Sequence, residues 1–443
     1  MRDPRRISAA RPAALALALA LSLLAPSCAA GPREDTVLLL HTNDLHGHIE
    51  MLPTLAGLAR AERERRRDVL WLDAGDAISG TPVSTVFQGT PIFSATSLAG
   101  VDAACLGNHE FDHGWARIAQ FRDAATYPIL CANARSPEGA LLADAEWQVF
   151  PVDGVRVGVI GLLSEKTPNW TIRKGNEGLR FEAAADALRR LIPEVREKCD
   201  VLVALTHLGY DHDREIARAF PALDVVVGGH SHTDLPGPIE LGGVIVVQAY
   251  RYGERLGRLE LTVDLEKRRV VRWQGKPIVV EPDSQPRDAA VARLVAELEA
   301  KVSEKVDRPL GEAKRRLDRD AVGLLAERAF RETLGTDLGY MNDGGVRAAF
   351  PEGPVTVRKV WEAFPFDNTL VTVRIRGRRM EARLAARLKG PVDPDRVYTV
   401  ATNSFVAERL EREIPGCEEG VEDSGLPVRD AVVEWIRRNP VLR

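Results

Sequence analysis

No histidine follows His232, although nine occur in the chain. Imidazole chemistry, whether metal binding or proton transfer, is thereby confined to residues 41–232. Cysteine is as scarce: Cys28, Cys105, Cys131, Cys199 and Cys417 are the only five in 443 residues, and none shares CxxC spacing. That excludes a readable thiolate zinc site. Cys105, Cys131 and Cys199 flank apolar runs, where a free thiol serves as a small buried side chain. Positive charge is not in excess: 60 Lys and Arg face 64 Asp and Glu, a net charge of -4. A nucleic-acid surface is not expected from that balance. The one dense basic run, "RAERERRRD" at 60–68, alternates with Glu and reads as a solvated helix face. Beyond the first thirty residues no apolar run is long enough to span a bilayer.

What is present begins with a leader. A basic stretch, "MRDPRRISAARP", precedes the apolar "AALALALALSLLA", and small residues follow. This is the order of a secretory signal, expected over 1–28. "LLAPSCAAG" resembles a bacterial lipoprotein signal, in which Cys28 becomes the acylated first residue. Plain cleavage near Ala30 is the alternative, and Arg5 and Arg6 hint at twin-arginine export. The expectation is an exported, periplasmic or cell-envelope protein that meets the membrane only through an N-terminal lipid.

From Thr36 the chain repeats one pattern: a short apolar run, a polar cluster, a helical stretch. The runs are "TVLLL" (36–40), "DVLWL" (68–72), "DAACL" (102–106), "VRVGVIGLL" (155–163), "DVLVAL" (200–205), "DVVVGG" (224–229) and "VIVVQAY" (244–250). Continuous apolar runs predict strands buried on both faces. The stretches between read as amphipathic helices, giving an α/β layered domain over 36–280 that ends in hairpins. A Pro-rich boundary leads to a helix over 284–308, expected as a spacer. A second α/β domain is expected over 309–443, with a helix, the Gly turn "NDGGVR", and strands in "LVTVRIRG" and "VYTVATNSF".

Most histidines sit just past an apolar run, and open α/β sheets bind ligands at the carboxyl ends of their strands. "HTNDLHGH" offers Asp44 and His46, "DAGDAISG" offers Asp76, and "GNHEFD" offers Asn108 and His109. "LTHLG" offers His207, and "GGHSH" offers His230 and His232. Mixed imidazole and carboxylate suits zinc, manganese, iron or cobalt rather than calcium. Seven candidate ligands exceed one tetrahedral site. They suit two divalent metal ions bridged by a carboxylate, with Asp76, the lone acid of its cluster, as the bridge. Each cluster alone reads as loop polarity; five in order do not. His41, His48, His113 and His212 are left over as supporting or surface groups.

Taken together, Asp44-x-His46, Gly75-Asp76, Gly107-Asn108-His109-Glu110, His207 and Gly229-His230-x-His232 resemble the metallophosphoesterase signature. "AGDAISGTPVSTVFQGTP" and "LGNHEFDHG" resemble its 5'-nucleotidase branch, and "NDGGVRAAFPEGPVTVRKVWEAFPFDNTLV" resembles that family's C-terminal domain. The resemblance implies a four-layer αββα metallophosphoesterase sandwich and a smaller, mobile substrate-binding domain. By position it implies Asp44, His46, Asp76 and His232 around one metal, and Asp76, Asn108, His207 and His230 around the other. His109 is then the acid at the leaving oxygen and Asp112 its orienting partner, with Glu110 in support. Activated water would attack phosphorus, releasing phosphate from nucleoside 5'-monophosphates.

For the substrate, the resemblance implies a phosphate-binding Arg347, a stacking Phe366, a base- or ribose-contacting Asn342, and Arg316 as a further phosphate-binding arginine. The chain also departs from the pattern. The family's Gly-Gly-Asp-Gly-aromatic stretch is replaced by "ERLEREIPGCEEGVED", which leaves the second stacking ring unplaced, and Phe405 is expected in the core. Asp343 and Asp367 stand where the family has glycine. The same machinery acting on UDP-sugars, 2',3'-cyclic nucleotides or other phosphate esters is therefore the second reading. A nucleotide-binding lipoprotein without turnover is the third. Metal identity and oligomeric state are not legible.

Overall fold

The computed structural model describes residues 33–388 and 390–443. The expected leader, 1–28, and the candidate lipidation site Cys28 lie outside the described residues. Strands of the first domain are β1 (Glu34–Thr42), β2 (Val69–Asp73), β3 (Ala103–Cys105), β4 (Ile129–Leu130), β5 (Trp147–Val152) and β6 (Val155–Leu163). They continue with β7 (Val201–His207), β8 (Val225–Gly228), β9 (Ile239–Leu241), β10 (Val244–Gln248), β11 (Arg255–Asp264) and β12 (Arg269–Gly275). One sheet runs β12-β11-β1-β2-β3-β4 and the other β9-β10-β8-β7-β6-β5.

The apolar runs are continuous because each strand is covered twice. In β1, Val37 and Leu39 join the core between the two sheets, while Leu38 and Leu40 face the outer core. Helices close both outer faces. Ala184–Arg196 and Tyr210–Ala219 cover the second sheet through Leu188, Leu191, Val195 and Ile216. Leu52–Arg65 and Thr90–Ala99 cover the first. The result is the four-layer αββα sandwich. Strand β5 was not expected, because "WQVFPV" is half-exposed and carries Pro151; it pairs antiparallel with β6 at the sheet edge, where proline is tolerated.

The helix expected as a spacer is Ala289–Val306, capped by Asp288, whose carboxylate accepts from the N–H groups of Ala290 and Val291. It is not a free strut. Val291, Val295, Leu298, Val302 and Val306 are buried in one core that holds Leu38 and Trp71 of the first domain and Phe330 and Phe350 of the second. The second domain adds β13 (Pro309–Ala313), β14 (Leu338–Gly339), β15 (Gly353–Thr356), β16 (Thr369–Arg376), β17 (Val397–Asn403), β18 (Cys417–Pro427) and β19 (Val441–Leu442). These form a sheet β14-β17-β16-β18 and a three-stranded sheet β15-β13-β19, packed with helices Arg319–Leu334 and Val428–Arg438. Cys105, Cys131 and Cys199 are free and buried.

Candidate active site

Every chemically distinctive cluster leaves the carboxyl end of a parallel strand. Asp44 and His46 follow β1, Asp76 follows β2, Asn108 follows β3, His207 ends β7, and His230 and His232 follow β8. The loops are stitched to one another: Asp44 N–H donates to Gly75 O at 2.9 Å, and His46 N–H to Asp76 O at 2.9 Å. Five of these seven residues hold left-handed backbone: Asp44 (φ 52°), His46 (50°), Asp76 (55°), His230 (76°) and His232 (52°). Such conformations cost a non-glycine residue about 1–3 kcal/mol each and persist only where the surroundings impose them. Gly107 is required for the same convergence. A Cβ there would lie 2.2 Å from Asp76 Oδ1.

The side chains form two knots. Asp44 Oδ1 lies 3.2 Å from His232 Nε2, and His46 Nε2 lies 3.0 Å from His232 Nε2. Asp76 Oδ2 lies 3.1 Å from His207 Nε2 and 3.8 Å from His46 Nε2. Asp44, His46 and His232 form one cluster able to hold a metal ion, and Asp76, His207 and His230 another; His46, Asp76 and His109 also cluster. The donor set fits a cation on an independent count. Asp44 Oδ1, Asn108 Oδ1 and His207 Nε2 are buried without a hydrogen-bond partner, which is costly unless something else satisfies them. His46 Nδ1–H donates to Ser79 O at 2.9 Å and His207 Nδ1–H to Ala74 O at 2.7 Å, which turns each Nε2 inward.

The electrostatics are divided between groups. Burial and the Arg347 charge hold His46 well below the usual imidazole range, and burial followed by His207 brings His230 to about 4. Burial opposes the charge on His207, but the Asp76 carboxylate outweighs it and pushes the imidazole up to about 10. Burial likewise opposes a proton on His109, yet Asp112 and Asp76 together raise it. His109 Nδ1–H donates to Asp112 Oδ2 at 2.7 Å, and its N–H donates to Asp76 Oδ1 at 2.8 Å. Glu110 ties the loops together: its carboxylate accepts from the N–H groups of Gly107, Asp76 and Ala77 at 2.6, 3.1 and 3.0 Å.

A cavity of about 760 Å³ opens over these groups and is walled by both domains. Asn342, Arg347 and Phe366 line it, as do His109 and Asp112. The Phe366 ring stacks on His109 at 5.4 Å, and the Arg347 guanidinium approaches His46 Nε2 at 3.4 Å. Arg316 is not part of this cavity; it is exposed, and Arg319, at the start of the next helix, lines the wall instead. Phe405 has two faces. The Asn403 side chain caps the N–H of Val406 and ends β17, so the half-buried Phe405 both packs against the core of the second domain, as expected, and lines the cavity wall, which was not expected. Sequence reasoning also passed over Trp170, Arg251 and Tyr252, which line the cavity from loops with no motif around them. Trp170 packs against His230 at 4.1 Å.

Two family models match the chain: calcineurin-like phosphoesterase over residues 37–234, and 5'-nucleotidase C-terminal domain over 299–390. Relatives span both. A protein named UshA from Yersinia enterocolitica is 28% identical over 463 residues, covering 89% of this chain and 84% of its own length. The chain belongs to the two-domain 5'-nucleotidase family. Another relative in that family is a 5'-nucleotidase of Vibrio cholerae, 26% identical over 80% of this chain and 76% of its own. Among solved structures, a 5'-nucleotidase precursor from Thermus thermophilus superposes on this family member with a TM-score of 0.79 at 26% identity, covering 92% of this chain and 97% of that one. Like its family, the protein is a metal-dependent hydrolase.

Proposed function

We propose that this 5'-nucleotidase-family protein releases phosphate from nucleoside 5'-monophosphates at a dinuclear centre. The observation that carries the reading is the convergence of the two ligand knots, the His109–Asp112 pair and Arg347 on one cavity. Asp44, His46, Asp76 and His232 would hold one divalent ion, and Asp76, Asn108, His207 and His230 the other. When bound, such a pair supplies Lewis-acid charge to phosphoryl oxygens and an activated water. The chain does the rest. Arg347 offsets charge on the phosphoryl group, and its planar donors suit phosphate. His109 donates its Nε2 proton to the leaving oxygen, while Asp112 fixes the tautomer by accepting from Nδ1. Phe366 and Asn342 contact the nucleoside.

The second reading, other phosphate esters, is favoured by one observation. Where the family has its glycine-rich stretch, the segment 408–416 presents Arg412 and Glu413 to the cavity instead of a second ring. We assign residues 36–280 to the metal-binding domain, 284–308 to a linking helix and 309–443 to the substrate domain, and place the protein outside the cytoplasm with Cys28 as its lipid anchor. The deciding experiment is phosphate release by residues 29–443, stripped and reloaded with Mn²⁺, Zn²⁺ or Co²⁺. The panel is AMP, UMP, ATP, UDP-glucose and 2',3'-cyclic AMP, the last two with a coupled phosphatase. Preference for a monophosphate is expected, and Asp76→Asn should abolish release. Preference for another ester selects the second reading, and activity retained in Asp76→Asn rejects the site.

A further inference from the structure

Arg251 is the arginine on the cavity with nothing to hold. Of the others that line it, Arg387 grips Glu327 through two bonds of 2.7 Å, Arg412 bonds Glu413, and Arg383 bonds Glu381. Arg319 donates to the carbonyls of Val346 and Asp343, and Arg347 reaches His46. The Arg251 side chain has no hydrogen-bond or ion-pair partner among the described residues, and its Nε is buried and unsatisfied. Neighbouring Arg255 provides the contrast, since it pairs with Asp234 at 2.8 Å.

The guanidinium is nevertheless held. It lies 5.0 Å from the ring of Tyr250 and 4.8 Å from that of Tyr252. Stacking uses the faces of a guanidinium and leaves its in-plane N–H donors free. Both tyrosines hold left-handed backbone, at φ 60° and 58°. Strain of that kind needs anchors, and the metal-binding loop supplies them. Asn43 accepts from the Ala249 N–H at 2.7 Å and donates to Tyr250 O at 2.6 Å, and the Tyr252 N–H donates to Asp44 O at 2.7 Å. The Tyr252 ring then touches His46 at 5.6 Å and His232 at 5.7 Å. A rigid cation with unused donors is thus fixed beside the Asp44 knot and aimed at the same cavity as Arg347, which comes from the opposite domain.

We propose that Arg251 is a binding subsite for a second anionic group, so that phosphate esters or anhydrides carrying an additional phosphate or carboxylate bind this cavity more tightly than equivalents carrying one anionic group, whichever ester is turned over fastest. The proposal rests on the reading of the cavity as a phosphate-ester site. A charge-assisted contact from a preorganised guanidinium is about twice as strong as a neutral one. A selectivity of about tenfold corresponds to about 1.4 kcal/mol.

The test separates this inference from the proposed reaction by measuring binding. Mn²⁺-loaded residues 29–443 are titrated calorimetrically with methylenediphosphonate, which bears two anionic groups, and with methylphosphonate, which bears one. The wild type is expected to prefer the diphosphonate, and in Arg251→Ala the ratio of the two affinities should fall about tenfold. Arg251→Lys should retain part of the preference, and Arg316→Ala, outside the cavity, all of it. An unchanged ratio in Arg251→Ala, or no binding of either phosphonate by the wild type, overturns the subsite. If the ratio falls as expected while the wild type releases phosphate from no ester tested, the subsite stands and the proposed reaction fails.

Discussion

At the scale of single residues, the proposed reaction separates groups that hold charge from groups that move a proton. Replacing His109 by Ala should lower kcat roughly 100- to 10,000-fold, the usual contribution of a positioned acid. Asp112→Asn should move the alkaline limb of the rate profile to lower pH as well as lower kcat, because the imidazole loses the carboxylate that favours its charged, proton-donating form. His41 makes a different prediction. Its ring is buried against Gly257, its Nδ1 has no hydrogen-bond partner, and burial lowers its pKa to about 4. The folded protein thus binds this proton less readily than the unfolded chain, whose value is about 6.5. The contribution to stability is therefore fully present above about pH 6.5 and is lost as pH falls toward 4, by on the order of 3 kcal/mol. Urea unfolding of the wild type across that window should show the loss, and His41→Phe should flatten it; parallel curves would refute the assignment.

At the scale of elements, the helix Ala289–Val306 carries more than its composition suggests. Asp288→Ala removes a cap that serves two N–H groups and should cost about 1–2 kcal/mol. Val302→Ala, at a fully buried position, should cost about 2 kcal/mol. Chemical denaturation should show either loss as one shared transition, since the helix lies in a core common to both domains. The strands were legible because burial on both faces writes an uninterrupted apolar run, as in Val37 to Leu40. The residues that converge beneath the cavity were legible as a group because each follows such a run. The cavity wall was not. Whether Arg316 or Arg319 reaches it depends on where a helix starts, and Phe405 faces it because Asn403 stops a strand two residues earlier. Residue type carries neither fact. Trp170 and Arg251 sit in loops whose course is set by partners distant in sequence, so nothing around them announces a role.

At the scale of the whole molecule, the segment that replaces the glycine-rich stretch fastens one domain to the other. Arg409 donates from Nε to Asn169 O at 3.0 Å and from Nη2 to Pro168 O at 2.9 Å, and it also bonds Thr171 O. The Arg173 N–H donates to Glu408 at 2.8 Å. Trp170 lies inside the fastened turn, against His230. Arg409→Ala should loosen this wall. The expected result is a larger radius of gyration by X-ray scattering and a raised KM for the preferred ester, with metal affinity retained. A radius and KM equal to those of the wild type would show that the fastening carries no load. Arg409→Lys should restore little, because an ammonium is a compact point charge and does not reproduce the planar fork that meets these carbonyls.

The shared core also sets an order of events during synthesis. A chain that has emerged only as far as the end of β12 holds all of its histidines, yet the apolar faces of Leu52–Arg65 and Thr90–Ala99 still wait for Val291, Val295 and Val302. Until those valines arrive, the nascent protein carries an uncovered greasy seam. Its solubility at that moment depends on how soon the ribosome, or the export machinery, delivers the next thirty or so residues.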